Sequence, residues 1–284
     1  MSGVSIVILS TGDRWTELDL AIRSVRRQQI GPLEIVVIGN GTSLPDLDAD
    51  LRIELPENVG IPEGRNIGFR ASGHDLICFL DDDATFLCGR ALAGAEVALD
   101  ADADLAVVGM CLVDKDLQTA HRHQPRLRSR SGDSSDVTSF PGGACVVRRR
   151  ALEEVGGLAG DFFYALEETD LAWRLIDAGW KIRYDSKLLV RHERTDPRRH
   201  EGFSYQTARN RVWLVHRNLP HPLTALYLIN WTVVSVIRSL RRPWDLRAHF
   251  RGLAAGFRTR PGPRRPMSWQ TVWHLTRLGR PPLI

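Results

Sequence analysis

Apolar and polar residues alternate in blocks along the first 113 positions of the chain. The runs "VSIVILS" (Val4–Ser10) and "LEIVVIGNGT" (33–42) are almost continuously apolar, which is typical of strands buried on both faces. Between them, "ELDLAIRSVRRQ" (17–28) places apolar residues at helical spacing. The later blocks predict a strand at 51–57, a helix at 60–72, a strand that enters "DDD" at 81–83, a helix at 90–102 and a strand at 105–113. This β-α-β-α alternation indicates an α/β domain with a largely parallel sheet.

Polar side chains gather where these strands end. "DLICFLDDDATF" (75–86) runs from five apolar residues directly into three aspartates. Ligands of open α/β sheets bind beyond the carboxyl ends of the strands, so the polar strand ends should converge on one crevice. The residues at these ends are Ser10, Thr11, Asn40, Asp81, Asp82 and Asp83. Three adjacent carboxylates repel one another unless positive charge lies among them, so the run predicts a bound cation.

A second acidic cluster follows the middle of the chain. "QPRLRSRSGDSSDVTS" (124–139) is polar and predicts a loop. Beyond it, Glu167, Glu168 and Asp170 lie in the first turn of a predicted helix. Acids in a first turn complement the helix dipole and cap free amides, so the cluster has a structural explanation as well as a catalytic one.

Composition changes this picture at the C-terminal end of the sequence. Residues 238–284 contain eleven arginines, no lysine and one acid, whereas the remainder holds 27 basic and 33 acidic residues. An acidic body with a basic tail predicts a polyanionic partner surface, either a membrane or a nucleic acid. The four cysteines are scattered and the first residues resemble no leader peptide, which predicts a cytosolic protein without a disulfide or zinc framework.

An ordered set of motifs gives the most specific prediction. In chain order, the motifs are an early strand ending in Ser/Thr, a strand-end Asn-Gly, "ENVGIPEGRNIGF", "DDD", "GGACVVRR", "FFYALEETDLAWRLIDAGWKIRY" and "VRHE". Together they resemble the family 2 glycosyltransferases of GT-A fold, especially the bacterial rhamnosyl- and galactofuranosyltransferase-like members. The resemblance covers roughly residues 4–215. It implies a Rossmann-like catalytic domain at 1–215 and a helical, basic extension at 216–284.

This resemblance implies a metal-dependent transfer of sugar from a nucleotide-sugar donor. A divalent cation, Mn²⁺ or Mg²⁺, would neutralise the charge that grows on the diphosphate leaving group, and carboxylates are suitable ligands. By the family's DxD motif, Asp83 would bind the metal, while Asp81 and Asp82 would lie near the donor ribose and sugar. His192, in "LVRHE", matches a second metal ligand of several relatives.

The resemblance also implies roles for acids and for donor-binding residues. The acceptor hydroxyl requires a general base, and the second acid of the family's acidic pair corresponds to Glu168, with Glu167 and Asp170 as alternatives. One base and direct attack imply inversion at the anomeric carbon. Contacts with the nucleobase would come from Ser10, Thr11, Asn40 and Arg65.

Two other classes of function fit parts of the sequence. Asp81, Asp83 and Thr85 formally satisfy the DxDx[TV] motif of haloacid-dehalogenase-type phosphatases, although about 80 residues precede it here and that motif usually follows the first strand. A non-catalytic scaffold that binds membrane or nucleic acid through the basic tail is the other alternative. No recognisable nucleic-acid-binding motif accompanies the arginines, so we expect no nucleic-acid partner.

The extension predicts attachment to a membrane surface. "HPLTALYLINWTVVSVIRSL" (221–240) has an uncharged core of about 16 residues, short of the roughly 20 that a spanning helix needs. Trp231, Arg238, Arg241 and Arg242 suit a helix lying in the interface with its apolar side down. An enzyme held at the inner face of the cell membrane would meet a glycan or lipid-linked acceptor. Packing of this helix on the catalytic domain, or a homodimer seam, is the alternative.

Overall fold

The computed structural model describes residues 3–119, 134–193, 202–239, 243–259 and 261–283. The strands are β1 (Val4–Ser10), β2 (Leu33–Asn40), β3 (Leu51–Leu55), β4 (Leu76–Asp81), β5 (Ala84–Phe86), β6 (Leu105–Val113), β7 (Ser135–Asp136), β8 (Ala144–Arg148) and β9 (Lys181–His192). The helices are α1 (Trp15–Arg26), α2 (Ile61–Ala71), α3 (Ala91–Ala101), α4 (Arg149–Val155), α5 (Glu167–Asp177), α6 (Phe203–Asn218), α7 (His221–Ser239), α8 (Pro243–Arg258) and α9 (Trp269–Arg277).

One nine-stranded sheet forms the centre of the molecule, in the order β3-β2-β1-β4-β8-β6-β9-β5, with β7 beside β9. The strands β1 to β4 pair in parallel, which confirms the α/β prediction for the first half. In the second half, β8 runs antiparallel to both β4 and β6, and β5 runs antiparallel to β9. A short apolar run carries no information about strand direction, so the sequence pattern did not show these antiparallel pairs.

Helices cover both faces of the sheet because successive strand residues point to opposite sides. In β4, Ile77 and Phe79 contribute to one buried cluster, while Cys78 and Leu80 contribute to the other. Both clusters are almost completely excluded from solvent, as expected for strands without polar alternation. This rigid sheet fixes the positions of the strand ends that form the site.

The C-terminal helices pack on the catalytic body through α6 and α9. Helix α8 lies close against α6 at Gly252 and Gly256, where an added Cβ would stand 2.2 Å from the Tyr205 carbonyl oxygen and 2.9 Å from the Arg209 carbonyl oxygen. Helix α9 begins at Ser268, whose backbone N–H donates to Asp177 Oδ1 at 2.9 Å. Helix α6 continues through the predicted domain boundary at residue 215, and the division into two domains stays a prediction.

Helix α7 has one packed side and one exposed side. Trp231 is turned inward and stacks on Arg211 of α6, with 3.5 Å from the guanidinium carbon to the ring centroid, so its predicted role as an outward interfacial anchor is wrong. The outward side carries an apolar stripe, which consists of Leu226, Ile229, Val233 and Ile237, each between 43% and 61% exposed. No helix within the described ranges is long and apolar enough to cross a membrane.

Some predictions fall outside the described residues. These are most of the polar loop at 124–139, of which only 134–139 is described, and the arginines Arg241 and Arg242. Of the loop, Ser135–Asp136 forms the short strand β7 beside β9.

Candidate active site

The carboxyl ends of β1, β2 and β4 open into a cleft of about 960 Å³. Thr11, Asn40 and the three aspartates 81–83 all line it, as the crevice prediction requires. Ser10 does not line it: its side chain is 1% exposed and its hydroxyl bonds Asp82 and accepts from the Gly12 N–H. Ser10 therefore supports Asp82 from behind the cleft wall.

Asp81, Asp83 and His192 form a candidate metal site at one side of the cleft. One ligand atom from each lies within 4.8 Å of the other two. His192 Nε2 is 3.1 Å from Asp83 Oδ1 and 3.8 Å from Asp81 Oδ2. Residues Ala84 and His192 are paired across β5 and β9, and this pairing holds the histidine beside the aspartates. The structure thus brings together the two predicted ligands and adds Asp81, which the sequence analysis placed beside the donor sugar.

Arg14 is a cleft residue that the sequence analysis missed. It follows β1, and its guanidinium donates to Asp83 Oδ2 and lies 3.0 Å from Asp82 Oδ1. Burial raises the pKa of Asp82 to about 7, against the opposing effects of Arg14 and the Ser10 hydroxyl. Asp82 is 3% exposed and faces Arg14. No periodicity marks a turn residue such as Arg14, so only the three-dimensional arrangement identifies it.

Arg65 links the two acidic clusters. It is 4% exposed, its Nη2 donates to Asp81 Oδ1 at 2.8 Å, and its Nη1 is 3.9 Å from Glu167 Oε1. Nη1 is buried and has no hydrogen-bond partner among the residues that the structure describes, although the side chain lines the cleft. The resemblance implied that Arg65 contacts the nucleobase. In the structure, Arg65 lies nearer the centre of the cleft, between the candidate metal ligands and the acidic pair.

Glu167 and Glu168 begin α5 at the cleft. Burial raises the pKa of both carboxyl groups, and repulsion from Glu168 adds to the effect on Glu167, while Arg65 opposes it. Glu167 is only 2% exposed, whereas Glu168 is half-buried at the cleft wall. Glu168 is therefore the more accessible acid of the pair.

Asp170 has a different environment, although it lies only two residues further on. It is fully buried, and its two oxygens accept from Arg174 and from Arg217 and Asn218 of α6. Burial alone would raise the pKa of Asp170, but the two arginines outweigh it and the pKa is lowered. Asp170 does not line the cleft and instead ties α5 to α6.

The segment before α5 has an unusual backbone. Phe163, Ala165 and Leu166 have positive φ values of 63°, 70° and 70°, which non-glycine residues rarely adopt. Asn210 of α6, fully buried, donates from Nδ2 to the carbonyl oxygens of Phe162, Tyr164 and Ala165 at 2.7–2.9 Å. Such strain persists where the surroundings fix it, and it concentrates at functional sites. Asn210 thus positions the acidic pair, a role that a lone asparagine in a helix does not reveal in sequence.

Gly142 and Gly143 leave room for the acids. A Cβ on Gly143 would stand 2.0 Å from Asp81 Oδ2, and one on Gly142 would stand 2.5 Å from Glu168 Oε1. The Gly143 carbonyl also accepts from the Asp81 N–H at 3.0 Å. These contacts explain why two glycines precede β8.

At the ends of β1 and β2, Thr11 is exposed whereas Asn40 is engaged in a turn. Thr11 Oγ1 donates to Asp13 Oδ1 at 2.8 Å. Asn40 donates to Asn58 Oδ1 and accepts from the Val59 N–H, each at 2.9 Å. Asn40 is 3% exposed, so it shapes the cleft floor while presenting little surface to a ligand.

Curated relatives of this chain include the pre-mycofactocin glycosyltransferases of two Mycobacterium tuberculosis strains, CDC 1551/Oshkosh and H37Rv. Each is 29% identical over 182 residues, which covers 57% of this chain and 37% of the relative. The chain therefore spans little more than a third of the length of these relatives.

Solved structures share the fold at low sequence identity. GalNAc-T7 with UDP, GalNAc and Mn²⁺ gives a TM-score of 0.64 at 15% identity, over 92% of this chain and 55% of that one. The Pyrobaculum calidifontis mannosyltransferase with GDP-Man and Mn²⁺ gives a TM-score of 0.59 at 18% identity, over 97% of this chain and 79% of that one. Residues 1–349 of S. aureus TarS in complex with UDP give a TM-score of 0.58 at 14% identity, over 86% of this chain and 73% of that one.

These neighbours confirm the GT-A fold. In sequence, the pattern of "Glycosyl transferase family 2" matches residues 5–156, more than half of the chain. The protein belongs to glycosyl transferase family 2.

Proposed function

We propose that the protein is a metal-dependent inverting glycosyltransferase. It moves a hexosyl or deoxyhexosyl group from a nucleotide-sugar donor to a hydroxyl of a glycan or lipid-linked acceptor in cell-envelope or polysaccharide synthesis. The observation that carries this proposal is the cleft itself, in which the group Asp81–Asp83–His192 and the acid Glu168 line the same space. A phosphatase using Asp81 as nucleophile has no such support, since Arg65 pairs with that carboxylate and the family assignment points to sugar transfer.

Asp81, Asp83 and His192 fit a divalent cation. Two carboxylate oxygens and an imidazole nitrogen suit Mn²⁺ better than Mg²⁺, which favours oxygen ligands and keeps several waters. The bound metal would supply positive charge to the departing diphosphate. Arg14 holds the other oxygen of Asp83, and this contact orients the carboxylate towards His192.

Glu168 is the general base of the proposed reaction. It is the more accessible member of the acidic pair, and its raised pKa makes it a stronger acceptor of the hydroxyl proton than an ordinary carboxylate. Glu167 is too buried to reach an acceptor, and Asp170 is held in ion pairs. One base on one face of the sugar supports a single displacement, and therefore inversion.

The donor side of the cleft consists of Thr11, Asn40, Arg65 and Asp82. We propose that Thr11 and the Asn40 turn contact the nucleoside. Arg65, whose buried Nη1 has no hydrogen-bond partner in the described ranges, faces the donor between Asp81 and Glu167. Asp82 acts mainly through Arg14, because its side chain is turned to that residue.

A donor panel tests the function directly. UDP-, GDP- and dTDP-sugars, each with and without Mn²⁺, are scored for thermal stabilisation of the full chain. A ligand that binds only the folded protein stabilises it by about 2.7 kcal/mol at a hundred times its Kd. We expect one nucleotide class to raise Tm, and only with the metal. Equal stabilisation with and without metal by every nucleotide would contradict a metal-dependent donor site.

We also propose that the protein is cytoplasmic and lies peripherally on the inner face of the cell membrane. The apolar stripe of α7 and the exposed Phe250 and Phe257 of α8 lie among exposed arginines of the basic tail. Each arginine near an anionic leaflet contributes about 1 kcal/mol, and the apolar side chains add insertion into the interface. Attachment of this kind would bring the cleft close to a lipid-linked acceptor.

Charged substitutions in the stripe test this attachment. Ile229→Glu and Ile237→Glu should reduce sedimentation with anionic vesicles, because both side chains are at least 60% exposed and lose apolar contact. Leu20→Glu, at a 52% exposed position of α1, is the matched control. A truncation near Arg217 is unsuitable, since Arg217 and Asn218 hold Asp170. Unchanged vesicle binding with conversion of a dimer to a monomer would assign the stripe to a homodimer seam.

A further inference from the structure

Between the C-terminal helices lies a buried arginine that has no carboxylate partner in the described part of the chain. Arg211 of α6 is 8% exposed. Its Nη1 donates to the Tyr227 hydroxyl of α7 at 2.9 Å, and the Trp231 ring covers its guanidinium. Within the described ranges, no aspartate or glutamate pairs with it and Tyr227 is its one hydrogen-bond acceptor. A buried cation normally requires a partner of opposite charge.

Polar groups around Arg211 are also incompletely hydrogen-bonded within the described residues. Three buried polar atoms there have no hydrogen-bond partner among the described residues, namely Thr207 Oγ1, Trp231 Nε1 and His249 Nε2. Thr207 lies one helical turn before Arg211, and His249 of α8 is close enough for Arg211 to help burial lower its pKa. An indole N–H and a guanidinium can only donate. Helices α6, α7 and α8 therefore each contribute polar atoms to the surroundings of Arg211.

Nearby charges do not balance the positive charge of Arg211. Arg238, two turns beyond Trp231 on α7, adds a second positive charge that acts on Arg211. Asp245, one turn before His249 on α8, accepts from the Ser204 hydroxyl at 3.3 Å and is not among the charges that act on Arg211. A water molecule would satisfy a donor but would leave the charge of Arg211 unbalanced. An anion with several acceptor oxygens meets both requirements.

We propose that Arg211, Trp231 and His249 form an anion site for a phosphate group, separate from the catalytic cleft. Phosphate accepts several hydrogen bonds in different directions and forms strong charge-assisted bonds with arginine. The source is either the phosphate of a membrane lipid or phosphate free in solution. The α7 helix that supplies Trp231 also carries the exposed apolar stripe, so a lipid headgroup would bind where its chains meet apolar side chains.

Phosphate binding to the full chain, without donor or metal, tests this site. Inorganic phosphate is titrated by calorimetry, and the protein labelled with 5-fluorotryptophan reports the location by ¹⁹F NMR, with Trp231→Phe assigning the resonance. We expect saturable binding that moves the Trp231 resonance. Trp231→Phe retains the stacked ring but loses the N–H, and should weaken binding about tenfold or more, the usual effect of a hydrogen bond to a charged group.

Two further variants complete the design. Arg211→Gln should abolish binding, and Arg251→Gln, at an exposed position of α8, should leave it unchanged. If Arg211→Gln fails to fold, Trp231→Phe still decides the question. Phosphate that binds without moving the Trp231 resonance, or equally well to Trp231→Phe, would overturn the proposal.

Vesicles distinguish the two sources. Phosphatidylcholine vesicles with and without phosphatidic acid are sedimented with wild type, Trp231→Phe and Arg251→Gln. A lipid source predicts that phosphatidic acid increases binding and that Trp231→Phe loses this increase while Arg251→Gln keeps most of it. A soluble source predicts phosphate binding in calorimetry and identical sedimentation of wild type and Trp231→Phe. Absence of both responses would leave Arg211 as a stacked structural residue and refute the site.

Discussion

Replacing Glu168 with glutamine is expected to lower kcat by about two to four powers of ten while leaving donor affinity almost unchanged. Glutamine has the same shape and preserves the contact with the glycine pair, but it cannot accept the acceptor's proton. The candidate metal ligands Asp81, Asp83 and His192, on the other side of Arg65, are unchanged, so the donor should still bind. Transfer rates and donor Kd, measured on the same preparation, separate these two effects.

The pH dependence and a neighbouring variant sharpen this test. Because burial raises the pKa of Glu168, and only the ionised form acts as a base, wild-type kcat should rise with pH through an apparent pKa above that of an ordinary carboxyl group. The two glutamates titrate as a pair, so this apparent pKa belongs to both. An inactive Glu167→Gln together with an active Glu168→Gln would move the role of base to Glu167.

Asp83→Asn should lower kcat/KM by about a hundredfold or more and weaken Mn²⁺ binding. The amide keeps the size of the side chain but removes the charge that faces both His192 and Arg14. Because Asp83 is partly exposed at the cleft, we expect little change in Tm without metal. Electron paramagnetic resonance of Mn²⁺ measures the binding independently of turnover.

A matched control exists on the protein surface. Asp48 also pairs with an arginine, Arg26, but is 73% exposed and away from the cleft. Asp48→Asn should leave both Mn²⁺ binding and activity unaltered. Full activity of Asp83→Asn, or activity of the wild type that persists in excess EDTA, would show that the metal proposal is wrong.

The sequence predicted the elements of the first half well because buried strands and amphipathic helices have distinct periods. It also predicted that Asp83 and His192 meet, but only through the family's motifs. The contributions of Arg14 and Asn210 could not be predicted, because each acts through contacts between residues distant in sequence. Trp231 was assigned to the wrong side of its helix, since an apolar helix rich in aromatic residues does not show which side meets Arg211.

The close contact between α8 and α6 has an evolutionary consequence. Gly252 and Gly256 admit no side chain, because a Cβ would meet the α6 backbone that carries Asn210. Mutations at these two positions would disturb the segment before α5 that Asn210 holds, and should be removed by selection. The outward positions of α8, including Phe250 and Phe257, have no such restriction. We therefore expect homologous sequences to keep small residues at the two glycine positions and to vary the outward positions of α8. The surface to which the protein binds could then change in evolution while the catalytic centre is preserved.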